Sequence, residues 1–151
     1  MKLLIKKLSE EAIMPEKAFP SDAGFDLFSH THIKLFPGER GLLHTDIAVK
    51  LPNQTCGIIK DRSGNAFKRG LHVLAGIIDE SYTGEICVCI INLSKDKQII
   101  NIGDKIAQML VVPVPVIELE EVDKLPKTDR GSGGFGSTGN YFVIVPYCSS
   151  Y

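Results

Sequence analysis

"HVLAGIIDESYTGEICVCIINL", residues 72–93, is the stretch that decides the fold. Two runs rich in Ile, Val and Leu, "HVLAGIID" (72–79) and "EICVCIINL" (85–93), flank a short polar tip. β-Branched side chains suit the pleated, half-buried surface of a strand. Within it, "AGIIDESYTGEI" (75–86) predicts a β-hairpin whose end carries an acidic residue, Asp79, and an aromatic one, Tyr82. A hairpin with polar tips needs no function to explain it, so this tip gains meaning only from its neighbours.

Outward from the hairpin the same pattern repeats. "LLIKKL" (3–8), "GFDLFSHTHIKLFPGE" (24–39), "RGLLHTDIAVKLP" (40–52), "CGIIK" (56–60) and "KIAQMLVVPVPVIELEEV" (105–122) read as strands separated by Pro and Gly turn signals. Many short strands at such spacing predict an all-β antiparallel sandwich, jelly roll or barrel. One short helix is expected, "SGNAFKRG" (63–70), with Ser63 placed to cap it. After residue 123 the composition turns polar and glycine-rich and predicts a mobile arm.

The chain has 151 residues, enough for one domain with its own core. Its formal net charge of −1 argues against stable nucleic-acid binding, which usually needs a basic face. "MKLLIKKLS" lacks the unbroken apolar run of a signal peptide or membrane span. The expectation is a cytoplasmic protein with no membrane partner, or a nuclear or host-cell one if the source is eukaryotic or viral. Cys56, Cys87, Cys89 and Cys148 match no zinc spacing and are expected to be reduced and buried.

Four further clusters could carry chemistry. Asp26 stands between apolar residues in "DAGFDL" (22–27), and Gln108 interrupts an apolar strand in "GDKIAQML" (103–110). "DRSGNAF" (61–67) follows a strand directly and offers Arg62 and free backbone N–H groups to an anion. An ordinary strand-to-helix turn explains it equally well. "RGSGGFGSTG" (130–139) has no packing explanation, because glycine loses the most backbone freedom on ordering and little here can be buried. An arm with Phe135 as a lid for a flat ring, and Arg130, Ser137, Thr138 and glycine amides for phosphate oxygens, makes physical sense. No Walker pattern or dinucleotide-binding glycine pattern occurs.

Taken in order, "AGFDL", "DRSGNA", "GIIDESYTGEI", "GDKIAQML" and "RGSGGFGSTG" resemble the five ordered motifs of the homotrimeric deoxyuridine triphosphatases, the dUTPases. The resemblance runs from about residue 22 to residue 139. It implies a single-domain, jelly-roll-like β-barrel: a core over residues 1–123, an arm over 124–140 closing a neighbouring subunit's site, and an atypical apolar tail over 141–151. It implies hydrolysis of dUTP to dUMP and pyrophosphate with Mg²⁺, which removes dUTP and supplies dUMP for thymidylate synthesis. Asp79 would hold and activate the attacking water, and Tyr82 would pack beneath the deoxyribose. The backbone around Val73, Gly76, Ile77 and Ile78 would read the uracil edge. Arg62, Ser63, Gly64 and Gln108 would contact phosphates, and Asp26 would approach the metal through water. From the arm, Phe135 would stack on uracil, while Arg130, Gly136, Ser137 and Thr138 would close on the nucleotide.

Three positions depart from the family pattern: Asn65 where an apolar residue is usual, Val73 where many bacterial members carry Asn, and the tail "NYFVIVPYCSS". Asn65 predicts altered packing beside the phosphate loop without loss of activity. Two rival readings stand beside the main one. A dCTP deaminase would need a Glu on the strand after the hairpin, where Cys89 and Ile90 stand. A non-catalytic, nucleotide-binding regulatory member would not need Asp79.

Overall fold

Strict alternation of burial marks the central strand. In the computed structural model, which describes residues 1–134, 137 and 139, β8 (Glu85–Asn92) buries Ile86, Val88, Ile90 and Asn92. Its other face carries Glu85, Cys87, Cys89 and Ile91, all half-exposed. Each fully buried Ile or Val stabilises by about 1.5–3 kcal/mol, so this side of the strand has one register that works. β8 lies between β4 (Arg40–Lys50) and β6 (Leu71–Leu74), and β1 (Leu4–Lys7) adds the outer edge beyond β4. A second sheet runs in the order β2 (Phe25–Phe28), β10 (Lys105–Pro113), β5 (Thr55–Lys60), β7 (Ile77–Ile78). β3 (Ile33–Leu35) and β9 (Gln98–Ile100) form a small third ladder. All pairings are antiparallel. Leu43, Ile47 and Val88 from the first sheet meet Leu27, Ile59 and Met109 from the second in one core. The architecture is the expected all-β, jelly-roll-like one, with separate sheets in place of a closed hydrogen-bonded barrel.

The simple hairpin expected at 75–86 is corrected: β7 does not pair with β8. β6 and β8 do pair, with Leu74 opposite Cys89. The chain between them leaves the sheet, and β7 pairs with β5 in the other one. Ala75 (φ 61°) and Gly76 (φ 101°) make the bend. Gly76 accepts a 2.7 Å hydrogen bond from the Ile59 amide. The run at 105–122 is also shorter as a strand than expected. β10 stops at Pro113, and Pro113 and Pro115 have no N–H to extend a ladder. β9 escaped the sequence reading because three residues carry no period.

β4 is one strand with an irregularity. Its register with β8 shifts between His44 and Ala48, where Asp46 has φ 58°. Asp tolerates that conformation better than most residues. The Glu85 side chain accepts the Asp46 N–H at 2.9 Å and holds the bulge.

Among the described residues there is one helix, α1 (Ser63–Arg69); it ends at Gly70 in the left-handed conformation, whose N–H returns to Ala66 and Asn65 carbonyls. Ser63 does not cap it. Arg62 is the N-cap, and no side chain caps the first turn.

The strands belong to a compact unit, Met1–Val116. A second unit begins at Ile117, and its described residues form neither helix nor strand. Gly131 N–H to Thr128 O and Gly133 N–H to Arg130 O, both 3.1 Å, make successive turns there. The tail at 141–151 lies outside the described residues. Among the described residues, no helix is long and apolar enough to cross a membrane.

A Cβ at Gly76 would meet the Ile59 carbonyl oxygen at 2.7 Å. Gly76→Ala is expected to cost about 1–3 kcal/mol, from strain at positive φ and this clash. Thermal unfolding followed by circular dichroism should show a melting point several degrees lower. An unchanged melting point would mean that the bend moves freely.

Candidate active site

Three neighbouring strands bring one polar cleft together. Gln108 on β10 faces Asp26 of β2 on one side and Lys60 of β5 on the other. The residues that follow Lys60, Asp61 to Gly64, therefore arrive next to Asp26. The cleft, about 300 Å³, is lined by Ala18, Asp22, Ala23, Gly24, Asp26, Arg62, Ser63, Gly64 and Gln108. Asp26 is buried, and its charge is compensated twice. Arg62 Nε lies 2.8 Å from Oδ1 and Lys105 Nζ lies 2.9 Å from Oδ2. Lys105 also reaches Glu16 at 2.9 Å, and the hydrogen bonds to Glu16 and Asp26 raise its pKa. A carboxylate taken this far out of water needs such partners. The Asp26 bond uses one of the five guanidinium N–H donors of Arg62. A Cβ at Gly64 would meet nothing within 4 Å, so its backbone is open to a ligand.

Residues outside the predicted site set this geometry. The Asp61 carboxylate accepts the Val73 N–H at 2.6 Å and contacts His72 Nδ1 at 2.7 Å. The Asp61 carbonyl accepts Gln108 Nε2 at 2.9 Å. Asp61 thus ties the start of the helix loop to both sheets. Gly24 packs so closely on Gln108 that a Cβ would stand 2.7 Å from Oε1. Asn65 donates from Nδ2 to the Lys105 and Ile106 carbonyls at 2.9 and 3.2 Å, where the ladder between β10 and β2 shifts register. The polar residue at an expected apolar position is therefore a clip between α1 and β10.

The hairpin tip forms a second, smaller cleft of about 180 Å³, lined by Ile77, Ile78, Asp79, Tyr82, Glu85 and Cys87. The Tyr82 N–H bonds the Asp79 carbonyl at 3.1 Å, closing the turn. Its hydroxyl donates to the Glu85 carbonyl at 2.8 Å. The ring folds over Gly84, where a Cβ would stand 2.6 Å from the Tyr82 hydroxyl. Asp79 and Tyr82 are exposed, and Val73 is buried on β6. The two clefts share no lining residue. A third groove, along β1 and β4, holds none of these side chains.

In the second unit, Arg130 Nε donates to the Gly133 carbonyl at 3.0 Å and the Ser137 N–H to the Gly134 carbonyl at 3.0 Å. Phe135, Gly136 and Thr138 lie outside the described residues. The structure thus brings Asp26, Arg62, Ser63, Gly64 and Gln108 together, and separately Ile77, Ile78, Asp79 and Tyr82.

Asp26 offers a hard oxygen donor, but both its oxygens already carry cations. It suits a hydrated ion approached through water, and Mg²⁺ gives up its waters reluctantly.

Beside the hairpin cleft, His44 Nδ1 lies 2.9 Å from Glu85 Oε2 and 3.6 Å from Cys87 Sγ. Burial opposes ionisation of Glu85. Its hydrogen bonds from His44, the Asp46 amide and Cys87, with the charge of His44, outweigh burial and hold the carboxyl low. Burial, then the charge and hydrogen bond of Glu85, push the Cys87 thiol up to about 11. Cys56, Cys87 and Cys89 are free as expected, but half-exposed where burial was expected, because each stands at an outward or edge position of its strand.

A cation-bearing polar cleft and an acidic–aromatic hairpin tip thus stand on an antiparallel all-β frame. A model of the dUTPase family matches residues 10–139. A deoxyuridine 5'-triphosphate nucleotidohydrolase of Clostridium novyi (strain NT) is 49% identical over 141 residues, 92% of this chain and 99% of that one. The solved structure of a Staphylococcus bacteriophage 80alpha dUTPase variant with dUpNHpp is similar at a TM-score of 0.84 and 30% identity, over 92% of this chain and 99% of that one. A phage phi11 dUTPase variant of S. aureus, which coordinates a structural Mg(II) ion, is similar at a TM-score of 0.79 and 31% identity, over 84% of this chain and 100% of that one. The chain belongs to the dUTPase family.

The raised thiol pKa makes a chemical prediction. The thiolate is the nucleophile, so Cys87 should be alkylated by iodoacetamide at pH 8 far more slowly than in the unfolded chain. Because the folded pKa is the higher one, the stability linked to this thiol is full below about pH 9. It is lost as pH rises toward about 11. Peptide mass mapping with chelator present checks the first point, and melting curves of wild type and Cys87→Ser between pH 8 and 11 check the second. Rapid labelling at pH 8 would contradict the assignment.

Proposed function

We propose that the chain hydrolyses dUTP to dUMP and pyrophosphate by in-line attack of water on the α-phosphate, with Asp79 holding and activating that water. The observation that carries the reading is the presence, in one chain of the dUTPase family, of a cation-bearing polar cleft and a separate hairpin tip that sets Asp79 beside Tyr82. A tetra-anionic triphosphate repels a nucleophile, so its charge has to be offset first. Arg62, the Ser63 hydroxyl, the Gly64 amide and Gln108 hold the phosphates. Asp26 keeps Arg62 in place through the 2.8 Å ion pair and approaches Mg²⁺ through water. When bound, Mg²⁺ supplies positive charge to the phosphates. The carboxylate of Asp79 takes the water's proton. Backbone groups between Val73 and Asp79 read the uracil edge, and a base with the opposite donor pattern leaves them unpaired. Tyr82, fixed by its bond to the Glu85 carbonyl, fills the space beneath C2′.

The separation of the two clefts supports an assembly of identical chains. In this reading the working unit is a closed homotrimer, with Asp79 and Tyr82 of one chain facing the phosphate cleft of another. The arm, residues 124–140, closes a neighbouring subunit's site. Phe135 stacks on uracil, and Arg130, Gly136, Ser137 and Thr138 bind the nucleotide. Glycines let the arm open for substrate and then order over it. The cytoplasm, where nucleotides are made and used, is the compartment this substrate implies.

Incubation with dUTP, dCTP, dTTP and UTP plus Mg²⁺, with products identified, tests the reading. Pyrophosphate should form from dUTP alone, and ammonia release from dCTP would overturn it. Asp79→Asn keeps the shape and removes the base, so turnover should fall by about 10² or more while dUTP still binds. Turnover near the wild-type value would take Asp79 out of the role.

Sugar selectivity gives a second test. Tyr82→Ala opens the space under C2′ and should narrow the preference for dUTP over UTP, measured as the ratio of kcat/KM values. An unchanged ratio would mean that another group reads the sugar.

A further inference from the structure

His44, Glu85 and Cys87 form a group that the hydrolysis does not use. His44 of β4 and Cys87 of β8 are direct cross-strand partners, and Glu85 stands two residues before Cys87 on the same face. Among the described residues they are the group whose nitrogen, oxygen and sulfur ligand atoms all lie within 4.8 Å of one another. A nucleophilic triad is the first chemistry such residue types suggest. The geometry argues against it. A triad needs the nucleophile and the orienting carboxylate on different ring nitrogens. Here both approach Nδ1, Glu85 at 2.9 Å and Cys87 at 3.6 Å.

Convergence on one point is what a metal ion requires. Tetrahedral zinc with ordinary bond lengths separates a nitrogen and an oxygen ligand by about 3.3 Å, and a sulfur and a nitrogen ligand by about 3.6 Å. The observed 2.9 and 3.6 Å need only a small spreading of the carboxylate from the imidazole. Support around the ligands is in place. Glu85 accepts the Asp46 amide at 2.9 Å through its other oxygen. The His44 backbone is pinned by its amide bond to Thr31 Oγ1 at 3.0 Å. Such outer partners orient ligands and raise affinity. The donor set, one imidazole, one thiolate and one carboxylate, suits a borderline-soft divalent ion and not Mg²⁺ or Ca²⁺, which take oxygen. Three protein ligands leave a fourth position for water. Glu85 and Cys87 also line the cleft of Asp79 and Tyr82, which gives an ion a way in.

We propose that His44, Glu85 and Cys87 form a zinc site with one open position at the lip of the Asp79 cleft. The thiol releases its proton to solvent when the ion binds.

Cobalt(II) titration of the full-length, metal-free chain tests this, because cobalt bound by a thiolate gains a charge-transfer band in the near ultraviolet. One cobalt per chain should give the band. Zinc should remove it by displacement, and excess Mg²⁺ should not. Cys87→Ser is nearly isosteric on a half-exposed face and should abolish it. His44→Gln, at an exposed position, should weaken cobalt binding about ten-fold or more. Cys56→Ser and Cys89→Ser should keep the band. Absence of the band at saturating cobalt, its persistence in Cys87→Ser, or unchanged affinity in His44→Gln would overturn the proposal. None of these readouts depends on turnover, so they stand apart from the test of dUTP hydrolysis.

Discussion

The backbone of Gly76 lies against the backbone of Ile59, and much of the site follows from that approach. The 2.7 Å bond between the Ile59 amide and the Gly76 carbonyl carries the chain out of the first sheet and onto the second. Only a residue without Cβ comes so near at φ 101°. β7 can then pair with β5, and the tip that follows sets Asp79 and Tyr82 in a cleft of their own. A plain hairpin from β6 to β8 would have kept both residues on the first sheet. The two sheets are thus joined by the same segment that carries the proposed base.

The second constraint is electrostatic. Asp26 is buried between Arg62 and Lys105, and the two cations compensate its charge. Removing one cation would leave a carboxylate short of charge compensation away from water. The pairing also holds the Arg62 side chain in place, ready for the phosphate-binding role proposed for it. It is already oriented, so less side-chain freedom is lost on binding. Asp61, Gln108, Asn65 and Gly24 extend this order from the ion pair to the backbone. Their bonds run across strands, and the cleft is a product of three neighbouring strands.

Much of this was legible in the chain. Alternating Ile and Val runs specify strands through side-chain period, and Pro37, Gly38, Pro52 and Gly70 mark their ends. Five ordered motifs pointed to the family and to Asp26, Arg62, Asp79, Tyr82 and Gln108. The sequence reading missed β9, which is too short to show a period, and the role of Asp61, one more acidic residue after a strand. It misjudged the Ser63 cap, because whether a side chain caps a helix depends on the entry direction of the loop. It also expected Cys56, Cys87 and Cys89 to be buried, since composition cannot say which face of a strand meets the core, while Cys148 lies outside the described residues.

By itself the sequence determined the strand pattern, the antiparallel all-β class, the single helix and the identity of the motif residues. These are local properties, set by side-chain period, turn chemistry and residue type within a few positions. The tertiary structure alone decided which sheet β7 joins, which cations hold Asp26, and that His44, Glu85 and Cys87 converge. His44 and Glu85 are 41 positions apart, and the spacing of the cysteines gives no metal signature. They meet because β4 and β8 pair in one register, and that register is chosen by the apolar residues on the opposite face. Burial of one face places the polar groups of the other, and no short stretch of sequence contains both strands.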